Sequence, residues 1–372
     1  MNKIILDVSP AVINRTAVYH MVIDVGERLA GDYNTELSVV GKRIAENQSP
    51  ALLRNLDQKR KKSLKRLVSK HVSNSFIRPL AYFSHNRPVP SGARRLFFDA
   101  LYVPFSGLSS RDSVIVHDLT TLTFPDWHGA KVSAAYSNAF TRISSSGCQI
   151  ISDSDSTTSE LRYHFGISPD RINTIPLYLR KDQSVSPAGP VPSSGDKFFL
   201  FVGSLEKRKN LTGLIRAFER TGLANDGYSL KIVGMDGNGA GEIRELSRKV
   251  VGVELLGFVD EKTLVGLYAN CRAFVYPSFW EGFGMPLLEA MAQGCVCVST
   301  QSGASPEVGG DSVLYVDPCS IDSIAAGILA VERMSQEAKT GMKELSRARA
   351  KLFTFDEYYN NVKEALLSQT ER

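Results

Sequence analysis

The strongest constraint on the fold is a strand–helix alternation that runs twice along the chain. Residues 181–196, KDQSVSPAGPVPSSGD, interrupt it with three prolines, two glycines and four serines, a linker composition. Strand–helix alternation predicts parallel βαβ units. We therefore expect an α/β protein of two doubly wound halves, residues 1–190 and 191–355. A last helix, about 356–372, can pack back on the first half.

Short apolar segments rich in β-branched residues mark the expected strands, and a length of 372 residues fits two domains. The clearest helical spacings are VYHMVIDVGERLA (18–30) and LTGLIRAFER (211–220). The predicted strands are IILDV (4–8), TELSVVG (35–41), SVIVHDL (113–119), CQIISDS (148–154), KFFLFVGS (197–204), SLKIVG (229–234), VELLGFV (253–259), RAFVYPS (272–278) and CVCVST (295–300).

Composition excludes several classes of protein. With 43% hydrophobic and 22% charged residues the chain is expected to be globular. No apolar run reaches the roughly 18–20 residues of a membrane span, and the N-terminus reads as a buried strand rather than a signal peptide. We expect a cytoplasmic protein, at most peripheral at the inner face of the cytoplasmic membrane.

The cysteines and histidines predict neither disulfides nor a metal site. Five cysteines, with no CxxC, argue against a disulfide framework or a zinc ribbon. Cys295 and Cys297 are interpreted as buried thiols of one strand. The six histidines show no HxxxH or HExxH spacing. We therefore expect no bound metal.

Charge is mild overall but uneven along the chain. A net charge of +5 and a pI of 8.8 do not indicate nucleic-acid binding. Residues 54–70, RNLDQKRKKSLKRLVSK, combine a run of lysines and arginines with leucines at partly helical spacing and a single acid, Asp57. Such a segment fits an anionic membrane surface, and it equally fits a solvated helix face.

Because ligands of parallel α/β sheets bind beyond the carboxyl ends of the strands, the residues that follow each strand are candidate site residues. After KFFLFVGS comes LEKRKN (205–210), with three cations just before a helix. A phosphate site explains this placement, and a solvated basic loop is the alternative. The chain has no Walker A sequence. GMDGNGAGE (234–242) fails the GxGxxG fingerprint, so a Rossmann dehydrogenase is not expected.

The stretch EGFGMPLLEA (281–290) predicts a loop that leads into a helix from Leu287 to Gln293, with Pro286 at its first position and Gly294 as its stop. Two glycines in this loop allow the backbone to approach a ligand closely, and the helix start presents N–H groups to an anion.

Two glutamates flank this loop. The carboxylate of Glu289 can accept hydrogen bonds from a pair of sugar hydroxyls, and Glu281 would face the other end of the same ligand. A nucleotide sugar has this layout. The alternative is an ordinary helix start with incidental glutamates.

In combination, the motifs resemble retaining glycosyltransferases of family 4 with the GT-B fold. EGFGMPLLEA is similar to their E-x7-E motif, and FVGSLEKRKNLTGLIRAF (201–218) to their strand, basic loop and helix. GASPEVGGDSVLYVDP (303–318), VHDLTTLTFPDW (116–127) and ISDSDSTTSELRYHFGISPDRINTIPL (151–177) resemble further segments, the second as found in bacterial O-antigen and mannosyltransferase-like members. The resemblance covers most of 113–360 and implies two Rossmann-like domains that face each other across a cleft.

The resemblance also implies roles for single residues. Arg208 and Lys209 would neutralise the donor diphosphate, a task for metal ions in other glycosyltransferases, so neither a cofactor nor a metal is expected. Glu281 would contact the donor hexose, Glu289 the ribose, and His117 the sugar near the reacting carbon. For His117 a satisfied core histidine is the alternative. The remaining expected donor-binding residues are Ser204, Gly234, Phe258, Val259, Gly282, Phe283, Gly284, Met285 and Pro286, and those on the acceptor side are Arg15, Thr16 and Asp118.

The chain departs from the family pattern at two places. Residues 12–20, VINRTAVYH, hold no glycine where the family has a glycine-rich loop near the diphosphate. Ser204 stands where the family often has arginine, and Arg208 is expected to compensate.

The resemblance implies transfer of a hexose, with retention, to a lipid-linked or growing cell-surface glycan. The preferred donor is GDP-mannose or a GDP-deoxyhexose, with UDP and dTDP sugars as alternatives. Two other functions stay open. One is an NDP-sugar epimerase of the same architecture, which would convert nucleotide sugar without an acceptor. The other is a degenerate, non-catalytic relative that binds nucleotide sugar.

Overall fold

The structure, a computed structural model, describes residues 3–13, 17–39, 42–46, 89–104, 107–180 and 197–368. The predicted linker at 181–196, the basic segment 54–70, and Arg15 and Thr16 lie outside the described residues. The boundary between the two predicted domains therefore stays a prediction.

A seven-stranded sheet organises the N-terminal domain, with strand order β3-β2-β1-β4-β5-β6-β7. All neighbouring strands are parallel except β2 and β3, which pair antiparallel at one edge. Its strands are β1 Ile4–Asp7, β2 Thr35–Val39, β3 Lys42–Glu46, β4 Arg94–Phe97, β5 Asp112–Val116, β6 Gln149–Ser152 and β7 Ile172–Thr174. Its helices are α1 Ser9–Ile13, α2 Ala17–Asp32, α3 Thr120–Thr123, α4 Ala130–Ser145 and α5 Asp155–Phe165, with 3-10 turns at Ala100–Tyr102, Pro125–Trp127 and Pro169–Arg171.

A six-stranded, fully parallel sheet organises the C-terminal domain, in the order β10-β9-β8-β11-β12-β13. Its strands are β8 Lys197–Val202, β9 Tyr228–Val233, β10 Val253–Gly257, β11 Ala273–Val275, β12 Cys297–Thr300 and β13 Val313–Val316. Its helices are α6 Leu211–Thr221, α7 Ala240–Lys249, α8 Glu261–Asn270, α9 Met285–Ala292, α10 Ser305–Gly309, α11 Ile321–Arg333 and α12 Gln336–Ala350, with 3-10 turns at Lys207–Lys209, Leu223–Asp226 and Gly310–Ser312.

The central strand β8 shows why this sequence forms a covered sheet. Its apolar run from Phe198 to Phe201 is fully buried, as expected of a parallel strand that has helices on both faces. Full burial of one such aromatic side chain contributes about 1.5–3 kcal/mol. The predicted α/β architecture of two doubly wound domains is confirmed.

The sequence analysis did not predict four of the strands. For two of them, the reason is their polar sequence. Strand β4 reads RRLF. Buried Arg94 donates a hydrogen bond to the Leu366 carbonyl at 2.9 Å, and Arg95 forms a bidentate pair with Asp112 at 2.7 and 2.6 Å. Long-range partners therefore allow two arginines in an interior strand. The antiparallel edge strand β3 reads KRIAE, and the other two, β7 and β13, have three and four residues.

Two sequence expectations need correction in detail. Helix α9 begins at Met285 and ends at Ala292, so Pro286 is its second residue and not its first. Gln293 caps it, and Gly294 follows in the left-handed region at φ 71°. Strand β12 begins only at Cys297. The expected burial of Cys295 and Cys297 is confirmed, and both thiols are free.

The last helix, α13 Phe355–Leu367, lies against the N-terminal domain. The Tyr359 hydroxyl donates to Asp32 at 2.6 Å, and the Arg28 guanidinium lies over the Tyr359 ring. Tyr358 is buried and donates to the Met21 sulfur at 3.2 Å. The chain therefore crosses between the domains twice, and the two crossings meet where the Leu179 amide donates to the Phe353 carbonyl at 2.9 Å.

None of the helices in the described part of the chain is long and apolar enough to cross a membrane.

Candidate functional site

The sheet order of the C-terminal domain places a crevice at the ends of β8 and β11. The chain moves from β8 outward through β9 to β10, and then returns to β11 on the other side of β8. Neighbouring strands of a parallel sheet that lead away in opposite directions leave a crevice at their carboxyl ends, where ligands bind. The turn Lys207–Lys209 follows β8, and the loop 276–284 follows β11. The topology therefore brings the basic turn and the EGFG stretch together.

Three charged side chains form a buried cluster in this crevice, here called the charge cluster: Arg208, Lys209 and Glu281. Lys209 Nζ donates to both carboxylate oxygens of Glu281, at 2.7 and 2.9 Å, and Arg208 Nη1 donates to Oε2 at 2.7 Å. Lys209 is 6% exposed and Glu281 4%. Lys209 also donates to the buried Tyr276 hydroxyl at 2.5 Å.

Burial and the close charges together set the pKa values in the cluster. Burial alone would raise the pKa of Glu281, but Arg208 and Lys209 lower it to about 2. Burial, together with the neighbouring Arg208, holds the pKa of Lys209 below its ordinary value, although Glu281 opposes both. Arg208 Nη2 also lies 3.8 Å from Oε2 of Glu206, in a longer and more exposed ion pair. The two cations therefore share Glu281 as their close, buried carboxylate partner.

Asn210 fixes the basic turn in place. It lies in the left-handed region at φ 54° and caps the start of α6. Its amide nitrogen donates to the carbonyls of Pro277 and Pro318, at 3.2 and 2.8 Å. An asparagine tolerates this backbone conformation better than most residues, and the two bonds tie the turn after β8 to the loop after β11. The cluster is therefore preorganised.

The 276–284 loop leads into α9, whose amino end points to the same crevice. Gly284 adopts φ 98° as the N-cap, a conformation that favours glycine. First-turn amides of a helix have no acceptor one turn earlier in the chain. In α9, however, Pro286 has no N–H and the Leu287 amide donates to the Gly284 carbonyl at 2.9 Å. The backbone donors of this turn that lie beside the charge cluster are therefore those of Gly284 and Met285. Of the other residues expected here, Phe283 is buried and Met285 half-buried.

The second glutamate, Glu289, lies one turn into α9. The Tyr268 hydroxyl donates to its Oε2 at 3.2 Å. Glu289 is half-buried, so its carboxylate is positioned by Tyr268 and still reaches solvent. The structure thus separates the two glutamates by role. Glu281 contacts the cations, and Glu289 accepts from Tyr268.

The remaining expected donor residues surround the same strand ends. Phe258 follows β10 and is 78% exposed, with half-buried Val259 next to it. Ser204 follows β8 and donates to Glu206 at 2.7 Å. The Gly234 amide, after β9, donates to the Gly257 carbonyl at 2.9 Å. An exposed aromatic ring at a strand end can stack on a nucleobase.

His117, at the end of β5, already uses both ring nitrogens. Nδ1 donates to Asp153 at 2.6 Å and Nε2 to the Phe98 carbonyl at 2.9 Å. Two acceptors require the doubly protonated ring. Burial would lower the pKa of His117, but Asp153 and Asp99 outweigh it and raise the pKa to about 9. Both ring nitrogens therefore have hydrogen-bond partners within the protein, as expected of a satisfied core histidine. A contact of His117 with the sugar stays a prediction.

The N-terminal domain contacts the 276–284 loop directly. The carbonyl of His117 faces Gly282, where an added Cβ would lie 2.2 Å from that oxygen and 2.7 Å from the Cβ of Asp118. Asp118 itself accepts hydrogen bonds from the Thr120 amide and hydroxyl, at 2.9 and 2.6 Å. Only glycine at position 282 permits this approach of the two domains.

Aromatic side chains, which the sequence analysis missed, cover the same contact. The Trp127 ring stacks on the rings of Phe124 and Phe279, with ring centroids 4.0 and 5.9 Å apart. The ring centroids of Phe124 and Trp280 are 5.9 Å apart. These four side chains are half-buried, and an aromatic pair contributes about 0.5–1.5 kcal/mol beyond its buried area. The FPDW and SFW segments could have signalled this, since each places aromatics beside a predicted strand end.

Glu307 makes a second link between the domains. Its carboxylate accepts the Asp155 and Ser156 amides at the start of α5, both at 2.7 Å. A carboxylate at a helix N-terminus interacts favourably with its free N–H groups. Residue 307 belongs to the SPEVGGD segment, which the sequence analysis noted without giving this glutamate a role.

Among the described residues, no group of three or more His, Cys, Asp or Glu side chains is arranged to hold a metal ion. Metal independence of the reaction stays a prediction from the sequence.

With this geometry established, comparisons with known proteins identify the type of domain. Residues 184–349 match the family Glycosyl transferases group 1. The chain is 33% identical over 228 residues to O-antigen chain mannosyltransferase B of Escherichia coli, a match that spans 57% of this chain and 59% of that one. It is 24% identical over 282 residues to O-antigen chain mannosyltransferase RfbU of Salmonella typhimurium, 72% of this chain and 75% of that one. The first curated relatives are covered over only 59%, 44% and 50% of their lengths.

Solved structures share the two-domain fold of this chain. HepE of Anabaena, solved with UDP and glucose, superposes with a TM-score of 0.67, 16% identity and coverage of 99% of this chain and 100% of that one. The fold is thus that of a two-domain GT-B protein. More specifically, the predicted resemblance to bacterial glycosyltransferases of the mannosyltransferase type is confirmed, and residues 184–349 of this chain match the group 1 family.

We predict that Glu281→Gln lowers the free energy of unfolding by about 3–5 kcal/mol, because it leaves Arg208 and Lys209 as buried cations without their counter-ion. Urea unfolding at pH 7 measures the loss. The wild-type stabilisation from Glu281 is present above its ordinary pKa of 4.5 and is lost as the pH falls toward 2. The variant lacks this component of acid sensitivity.

The matched control is Glu245→Gln, which removes the carboxylate of an exposed pair with Lys249. Its unfolding free energy should stay near that of the wild type. Equal stability of wild type and Glu281→Gln would contradict the view that the carboxylate compensates two buried charges.

Proposed function

We propose that this protein is a retaining glycosyltransferase that moves a hexose, mannose or a related deoxyhexose, from a nucleotide sugar to a lipid-linked or growing cell-surface polysaccharide. The observation that carries the proposal is the charge cluster, which lies beside the start of α9 at the switch point of a group 1 glycosyltransferase domain.

The cluster suits a diphosphate because of its charge and its position. Arg208 and Lys209 share the buried carboxylate of Glu281, and the more exposed Glu206 lies 3.8 Å from Arg208. A diphosphate would offer both cations further charge-assisted hydrogen bonds. The α9 start adds backbone donors. Phosphate oxygens gain negative charge as the bond to the sugar breaks, so fixed cations there stabilise the transition state more than the ground state. In this proposal Arg208 and Lys209 do so without a metal ion.

The proposed transfer keeps the configuration at the sugar carbon. The bond between that carbon and the donor phosphate oxygen breaks, and the acceptor hydroxyl oxygen bonds to the same face. The released phosphate oxygen takes the acceptor proton, so the step needs no protein base. The protonated His117, with both N–H groups held by Asp153 and Phe98, has its charge paired with the Asp153 carboxylate at the N-terminal side of the cleft.

The identity of donor and acceptor is supported by the relatives. Two relatives, O-antigen chain mannosyltransferase B and RfbU, are named as mannosyltransferases. Their names favour GDP-mannose or a GDP-deoxyhexose as the donor. HepE was solved with UDP and glucose, so UDP sugars belong in the same assay. In the proposed pose Glu289 binds the ribose hydroxyls, and the base stacks near Phe258 and Val259.

We predict that Lys209→Ala and Glu289→Ala each reduce kcat/KM by about 100-fold or more, through lost charge stabilisation and lost ribose contacts respectively. The assay measures nucleotide release from a panel of GDP, UDP and dTDP sugars, with and without lipid-linked glycan. Lys249→Ala, which removes an exposed lysine paired with Glu245, serves as the control and should keep full activity.

Normal rates for both site variants would refute the site assignment. Conversion of nucleotide sugar in the absence of any acceptor would indicate the epimerase alternative. Nucleotide binding without turnover would indicate the non-catalytic one.

We further propose that the basic segment 54–70 attaches the protein to an anionic membrane surface, where a lipid-linked acceptor resides. Each lysine or arginine near such a surface contributes about 1 kcal/mol at moderate salt. Co-sedimentation with phosphatidylglycerol vesicles at low salt should capture the wild type, and glutamine at the four basic residues 59–62 should weaken capture strongly. Capture that is unchanged in that variant would reject the idea.

A further inference from the structure

His128 lies where the N-terminal domain meets the basic turn. It directly follows Trp127, whose ring stacks on Phe279 and whose carbonyl accepts from the Asn238 side chain at 2.8 Å. The backbone carbonyl of the same Asn238 accepts the amide of Lys207, the first residue of the basic turn, at 3.0 Å. Two contacts to the C-terminal domain thus hold the residue before His128, and one of them connects it to the basic turn.

A chain of hydrogen bonds determines which nitrogen of the His128 ring carries the proton. The Thr120 hydroxyl donates its single proton to the Asp118 carboxylate at 2.6 Å. Its oxygen can therefore only accept from His128, so Nε2, 3.1 Å away, is the protonated nitrogen. Nδ1 keeps a lone pair and has no hydrogen-bond partner among the described residues. Because the side chain is only half-buried, Nδ1 remains accessible to a ligand.

The other end of this chain also lies against the C-terminal domain. Asp118 packs on Gly282, where an added Cβ would lie 2.7 Å from the Cβ of Asp118. Gly282 directly follows Glu281 of the charge cluster. The series of side chains from Asp118 through Thr120 to His128 is therefore held along the same crevice as the charge cluster, but from the opposite domain.

Charged groups of both domains act on the His128 ring. Burial lowers the pKa of His128; Asp118 opposes this, Arg208 lowers the pKa further, and Glu206 raises it. Arg208 and Glu206 act from the C-terminal domain, so the ring faces the charge cluster. The other charged residues of its own segment are exposed: Asp126 and Lys131. Near neutral pH the uncharged ring is the favoured form beside Arg208.

A diphosphate bound at the charge cluster would change this balance. Its negative charge close to the ring favours the protonated imidazole. The protonated ring can donate from Nδ1 to a phosphate oxygen while Nε2 keeps its hydrogen bond to Thr120. An unprotonated Nδ1 would instead present a lone pair to phosphate oxygens, which are themselves acceptors. The contact therefore forms only with an added proton.

We propose that His128 is the contact of the N-terminal domain to the donor diphosphate, and that it takes up a proton from solvent when the diphosphate binds. The inference rests on the proposed function for the position of the diphosphate. His128 then acts as a third cation, opposite Arg208 and Lys209, that is charged only while the ligand is present. Release of the nucleotide after transfer returns the proton to solvent.

Calorimetric titration of nucleotide sugars without acceptor tests this proposal. The probes are GDP-mannose, UDP-glucose and the other nucleotide sugars of the activity panel. Unlike a terminal phosphate, which titrates at about pH 6, their diphosphate keeps a fixed charge near neutral pH. Titrations at pH 7 in two non-phosphate buffers of different ionisation enthalpy count the protons taken up, and titrations at pH 6.5 and 7.5 give the change in affinity.

Three variants accompany the wild type. His128→Asn keeps a neutral donor but cannot gain a proton, and His128→Phe removes the donor as well. His164→Asn, which changes an exposed histidine of α5, is the matched control. The proton count of the wild type is itself decisive and does not depend on the folding of any variant.

The wild type should take up between about half a proton and one proton and bind about three- to tenfold more tightly at the lower pH, tenfold being the limit for one proton over one pH unit. His128→Asn should bind without proton uptake and without this pH dependence. His128→Phe should in addition bind about tenfold or more weakly at the lower pH, through loss of a charge-assisted hydrogen bond. His164→Asn should behave as the wild type.

Binding to the wild type without proton uptake, or proton uptake that persists in His128→Asn, overturns the inference. Normal sugar transfer combined with either result refutes the role of His128 and keeps the transferase. Proton uptake that depends on His128, with no sugar transferred to any acceptor, refutes the transferase and keeps the phosphate contact. No binding of any nucleotide sugar refutes both.

Discussion

The buried contact of Glu281 with Arg208 and Lys209 is the interaction on which the site depends. Two buried cations next to each other are unfavourable, and a carboxylate from the neighbouring strand end makes them tolerable. In the proposed function, the same contact also holds both cations in place for a phosphate.

This charge cluster also explains why the two domains meet where they do. The loop that carries Glu281 presents Gly282 to the carbonyl of His117 and Phe279 to Trp127. Glu307, in helix α10 after strand β12, caps the start of α5. These contacts join the two domains through residues on both sides of the 276–284 loop.

The sequence indicated the residues of the candidate site better than the contacts between them. Arg208, Lys209, Glu281 and Glu289 could be located because each follows a recognisable strand or begins a recognisable helix. Their pairing could not, because it requires β8 and β11 to be neighbours, and alternation alone does not determine strand order. The hydrogen bonds of His117 to Asp153 and Phe98 could not be predicted either, since these residues lie 36 and 19 positions away in the sequence. Strand β4 was missed because two arginines are not expected in an interior strand. Their partners, the Leu366 carbonyl for Arg94 and the Asp112 carboxylate for Arg95, are visible only in the structure.

The most direct test of the account is whether the charge cluster binds the diphosphate of a nucleotide. Calorimetric titration should compare GDP with guanosine and UDP with uridine, for the wild type and Lys209→Met. The account predicts that the wild type binds one diphosphate at least about 100-fold more tightly than its nucleoside, and that Lys209→Met loses most of this preference, because a charge-assisted contact to phosphate is lost. An equal preference in the two proteins would contradict it.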